Sequence, residues 1–141
     1  MKQQRLILKN ISAKSWEHPA DKAALSAVQK IPGVDTLMKK FVGLTTEKSI
    51  RLATLASAIR TSDTQFPRLH KLLKEACGIL DIQEIPELFI AEHPFMNAGA
   101  FGVESPFIVL HSSAVEKLTD DEILALIGHE LGHCMSGHQL Y

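Results

Sequence analysis

Nothing in the 141 residues approaches the ~20 consecutive apolar positions that a membrane-spanning helix requires. Leu6-Ile7-Leu8 is too short for the apolar centre of a signal peptide. The chain itself therefore reads as soluble. Charge of one sign is not in excess either: 15 Lys+Arg against 16 Asp+Glu leave a formal net charge of -1. The basic footprint that grips a phosphate backbone is missing, which excludes nucleic acid as the expected partner. Cysteine is scarce, and Cys77 and Cys134 lack the paired spacing of a disulfide scaffold or a redox motif. That points to a reducing, cytoplasmic compartment. There is no internal repeat and no low-complexity tract. What remains is an ordinary globular mixture, 45% hydrophobic and 22% charged, which excludes a disordered or fibrous chain. The length suits a single domain over residues 1–141.

Apolar periodicity divides that domain into a helical region, 1–83, and a region of short strands with one long helix, 84–141. Helices are expected from Ala20 to Lys30, after Pro19 and before the break at Ile31-Pro32-Gly33, and from Val34 to Val42. Two more are expected from Thr46 to Ile59 and from Pro67 to Leu80, each with apolar residues on one stripe. The period then changes. Leu88-Phe89-Ile90 and Phe107-Ile108-Val109-Leu110 each follow a proline and are short enough to favour strands, with Met96 to Gly102 as a bent strand between them. A small antiparallel sheet is the expected result, giving a mainly helical α+β domain. A short helix after Ser112 leads to Thr119-Asp120-Asp121-Glu122, a capping box that starts the last helix.

One motif on that last helix carries chemistry: His129-Glu130-Leu131-Gly132-His133. At ~100° per residue the two histidines lie about 40° apart and one turn apart along the axis, so both imidazoles can converge on one tetrahedral metal ion. Glu130 lies about 60° round from His133, beside the metal rather than on it. There it can take a proton from a metal-activated water and pass it to a leaving amine. Chance alone gives this pattern on the order of once per hundred sequences of this length, and its place on a capped helix after a strand makes coincidence rarer still. Gly128 and Gly132 each cost about 1 kcal/mol of helix propensity, which implies that something packs close to this stretch. His138 would point about 140° away from His133 on an unbroken helix and serves as a ligand only if Gly137 breaks it. Cys134 reads as a small core residue. His18, His70, His93 and His111 have no partner spacing.

These residues resemble the gluzincin zinc metallopeptidases that include the bacterial heat-shock protease HtpX and the eukaryotic CAAX prenyl proteases. The metal motif, with His138 beyond it, carries the resemblance, together with upstream Asn97-Ala98, the Pro-bounded strand from Pro106 to Leu110 and the short helix before the metal helix. The resemblance implies a zincin-like fold, one zinc ion held by His129 and His133, Glu130 as general base, and peptide or protein substrates. It also implies that the strand at Phe107, Ile108, Val109 and Leu110, with Asn97 and Ala98, binds substrate as a free sheet edge. Two departures stand out. The family's third ligand is a glutamate on a later helix, whereas this sequence stops at Tyr141, eight residues after His133. Asn97-Ala98 is followed by Gly99-Ala100, where relatives often place a larger residue. The chain is therefore expected to be the N-terminal part of a longer peptidase, inactive by itself and prone to lose its zinc, in a parent that associates with membranes. The competing expectations are a catalytically incomplete scaffold or interaction domain on the same fold, and metal-dependent hydrolysis of something other than a peptide.

Overall fold

The computed structural model describes residues 5–11, 20, 23, 27, 30, 32, 48–102 and 105–136. Its elements are α1 (Lys48–Ser57), β1 (Ala58–Arg60), α2 (Pro67–Ile79), β2 (Glu87–Ala91), β3 (Ala98–Phe101), β4 (Phe107–His111), α3 (Ser112–Lys117) and α4 (Asp120–Ser136). The helices expected from Ala20 to Lys30 and from Val34 to Val42 lie largely or wholly outside the described residues, as do His18 and His138.

The strands form one mixed sheet in the order β1-β2-β4-β3. β1 runs antiparallel to β2 and β3 antiparallel to β4, but β2 and β4 are parallel, with Glu87 opposite Phe107 and Ala91 opposite His111. This corrects the antiparallel expectation. β3 and β4 form a hairpin, and the segment between β2 and β3 crosses the sheet to place β3 on the far edge, which turns β4 to the same direction as β2. It also corrects the reading of Ile59 as helical and of the first 83 residues as strand-free, because β1 adds to the sheet opposite Phe89–Ala91.

Each face of the sheet has its own core. On one, Leu88, Ile90, Ile108 and Leu110 pack against Leu69, Leu72, Leu73, Ala76 and Cys77 of α2 and against Ile123, Leu124, Ile127 and Leu131 of α4. The spacing 69, 72, 73, 76 is the helical period that makes such a stripe. On the other face, Phe89, Phe107 and Val109 form a smaller cluster, with the Phe89 and Phe107 rings edge to face at 5.7 Å. Arg51 of α1 lies over the Phe107 ring at 5.5 Å and pairs with Glu87, which Arg60 also reaches at 2.9 Å. Those charges tie α1 to the sheet, since α1 itself has no buried residue.

Two devices set the position of α4. At its start the capping box forms as expected: the Thr119 backbone N–H donates to Glu122 Oε2 at 2.8 Å, and the Glu122 N–H reaches Thr119 Oγ1 at 3.4 Å. Arg5 then links α2 to α4, pairing with both Glu75 and Asp121, while the Leu8 N–H donates to the Ile79 carbonyl at 2.9 Å. No close neighbour explains Gly128, because a Cβ there would meet nothing within 4 Å.

The hydrogen bonds from the Thr119 backbone and hydroxyl hold the Glu122 carboxyl below its ordinary value. A carboxylate lowered in the folded state stabilises it above the unfolded pKa and loses that contribution as pH falls through the folded one. Side-chain carboxyl NMR should therefore show Glu122 titrating below the exposed glutamates, and Thr119→Ala should raise it. Phe107 is fully buried in the sheet, so Phe107→Ala should cost about 3–5 kcal/mol. Urea unfolding, read as a shifted midpoint with unchanged slope, measures that loss.

Candidate active site

The candidate site lies on the last two turns of α4, which its buried stripe seats against the sheet and α2. His129 and His133 project from adjacent turns with their Nε2 atoms 3.1 Å apart and their rings edge to face, 4.6 Å between centroids. His129 is exposed and His133 half-buried, so the pair opens to solvent. For metal–nitrogen bonds of ~2.0–2.1 Å, a 3.1 Å separation subtends about 95–100° at a shared ion, close to a tetrahedral angle. Two imidazoles already spaced in this way fit a zinc ion. Among the described residues no group of three His, Cys, Asp or Glu side chains surrounds a common point.

Glu130, between them in sequence, is 7% exposed and is the one charged residue buried among the described residues. A carboxylate is rarely withdrawn from water without a partner or a task. Cys134 packs partly buried against the main core. Burial, and secondarily Cys134, push the Cys77 thiol up to about 11, so Cys77 behaves as core rather than as a nucleophile.

The structure separates the residues expected to bind substrate. β4 is central, paired with β2 on one side and β3 on the other. Phe107, Ile108 and Leu110 are fully buried and Val109 is 9% exposed. These four residues cannot form a free edge, because their backbone groups are already used in two ladders. The edge belongs to β3, which packs beside α4 and includes Ala98. Asn97, just before it, is exposed; its side-chain oxygen accepts the Ala98 N–H at 2.9 Å and its carbonyl accepts the His111 N–H at 3.0 Å. Gly99 in β3 sits under the Phe101 ring, 2.9 Å from where its Cβ would be. Phe101 thus occupies the space that a larger residue at 99 would take.

One constellation was invisible to spacing. The His93 and His111 rings stack at 4.4 Å, although 18 positions separate them, because residue 93 follows β2 and residue 111 ends the parallel β4. Only the β2–β4 register, with Ala91 opposite His111, reveals the pair.

Residues 63–141 match the description "Peptidase family M48". The chain is 36% identical over 138 residues to a plastoglobule-localized metallopeptidase 48 of Arabidopsis thaliana, covering 96% of this chain and 40% of that protein. It is 38% identical over 68 residues to a protease HtpX homolog of Helicobacter pylori, covering 47% of this chain and 22% of that protein. It is 32% identical over 77 residues to a protease HtpX homolog 2 of Saccharolobus solfataricus, covering 53% and 24%. The chain thus spans at most two fifths of these relatives' length. No helix among the described residues is long and apolar enough to cross a membrane. The match takes in the sheet strands β2 to β4, the buried Glu130 and the two convergent histidines, and on it this chain belongs to peptidase family M48.

Proposed function

We propose that α4 and β3 form part of the active site of a zinc-dependent endopeptidase. The observation that carries this reading is the convergence of two Nε2 atoms at 3.1 Å on the helix that also carries the largely buried Glu130. His129 and His133 would hold the ion through Nε2, and the third protein ligand would come from outside the described residues. Zinc, when bound, supplies a Lewis acid that polarises the substrate carbonyl and makes a neighbouring water a stronger acid.

The rest of the work falls to the chain. Glu130 accepts a proton from the attacking water as its oxygen bonds to the carbonyl carbon. The same carboxyl then delivers that proton to the amide nitrogen as the C–N bond breaks. Among the described residues β3 is an edge strand, with the Ala98 N–H already held by Asn97, so an extended peptide can add beside α4 along the rest of its outer side. The protein and peptide substrates, the zincin-like arrangement and the action in a longer protein with membrane association all belong to this same reading.

Two measurements test it. Zinc titrated into the chain should shift the His129 and His133 ring nitrogens together in long-range 1H–15N spectra. His129→Ala or His133→Ala should abolish both shifts, whereas His138→Ala should leave them unchanged. With two imidazoles only, affinity should fall at least the 10–100-fold that second-shell losses produce. Independent single-ring shifts would remove the metal site. In peptidase assays of the zinc-loaded full-length parent, Glu130→Gln should lower turnover by at least ~10²-fold without loss of zinc. Wild-type turnover in that variant would remove the general-base role.

A further inference from the structure

The segment from 92 to 97 carries two large apolar side chains into solvent, Phe95 at 74% exposure and Met96 at 55%. Single exposed apolar residues are ordinary, and a mobile loop would fold such side chains down. This segment is held instead. The Phe95 N–H donates to His93 Nδ1 at 3.2 Å, and the Phe95 carbonyl bonds His111 Nδ1 at 2.9 Å. Both peptide groups of Phe95 are therefore gripped by the two stacked imidazoles. Ser112 Oγ accepts the His93 N–H at 3.1 Å, and the His111 N–H fixes the Asn97 carbonyl at 3.0 Å. Pro94 restricts the backbone between the clamped positions. Phe95 and Met96 are thus presented by a built support, directly before the edge strand that begins at Ala98.

We infer that Phe95 and Met96 form a specificity subsite that takes one large apolar side chain of the bound peptide. The inference rests on the reading of β3 as the peptide-binding edge. A peptide paired with Ala98–Phe101 and continuing past Ala98 advances ~3.3 Å per residue. Its residues two and three positions beyond the one opposite Ala98 reach the level of Met96 and Phe95, and because successive side chains alternate between faces only one of them turns toward the patch. Neither side chain offers charge or a strong hydrogen-bonding group, so the position favours Leu, Phe or Met over Ser or Asp. Met96 can adapt to the shape of its occupant, while Phe95 gives a fixed surface. His93 and His111 act as positioning residues through the Phe95 peptide.

The test uses the 15N-labelled 141-residue chain with zinc present and heptapeptides identical except for Leu or Ser at the positions on one flank, each flank tried in turn. On one flank only, the Leu peptide should bind about tenfold more tightly than the Ser peptide, with shifts at Ala98–Phe101 and at residues 95 and 96. Phe95→Ser with Met96→Ser should bring that ratio close to one, and Phe95→Leu with Met96→Leu should keep it. If the serine variant retains the tenfold ratio while β3 amides still respond, the subsite is overturned and the peptide edge stands. If no peptide moves the β3 amides, the edge reading fails and takes the subsite with it. If phosphatidylcholine vesicles, but neither peptide selectively, perturb residues 95 and 96, the patch meets lipid and the inference is overturned.

Discussion

Burial of β4 on both edges and both faces is the constraint from which the rest of this fold follows. Its two ladders leave its neighbours β2 and β3 no freedom of register. Ile108 and Leu110 on one face require α2 and α4, and Phe107 and Val109 on the other make the second cluster. Because α3 and α4 follow β4 without a long connection, fixing the strand also fixes where α4 starts. The capping box and the Arg5 pairs then limit how that helix is set against α2.

The site inherits its geometry from this packing. Ile123, Ile127 and Leu131 face the core, and positions 129 and 133 consequently fall on the side that opens to solvent. Glu130 is drawn inward beside the buried Leu131. The same helix thus carries both the apolar residues that seat it and His129, Glu130 and His133.

Helical features were legible in the sequence because their causes are local. The stripe of α2, the Thr119-to-Glu122 box and the paired histidines each depend on residues three or four apart, and each appears where the spacing puts it. Sheet pairing was less legible because its causes are distant. β1 is only Ala58-Ile59-Arg60, and what makes it a strand is Phe89–Ala91, some thirty residues away. The central place of β4 did have a local sign: Phe-Ile-Val-Leu is apolar without alternation, as in a strand covered on both faces. A free edge normally breaks such a run with charge or proline. The stack of His93 on His111 had no such sign, since parallel pairing alone brings the two together.

The placement of both histidines on one helical turn has a thermodynamic consequence. Their convergence depends on α4 being helical and not on the sheet being complete, because both nitrogens come from side chains four residues apart. If the pair binds zinc as proposed, a chain that has formed this helix but not yet closed β2 onto β4 would already present both nitrogens to the ion. Any affinity of incompletely folded states for the metal subtracts from the stabilisation that saturating metal confers on the native one. Zinc would accordingly raise the melting temperature by less than its affinity for the folded chain implies. It would also favour the helix in the unfolded ensemble, where that turn would be among the first places for structure to persist.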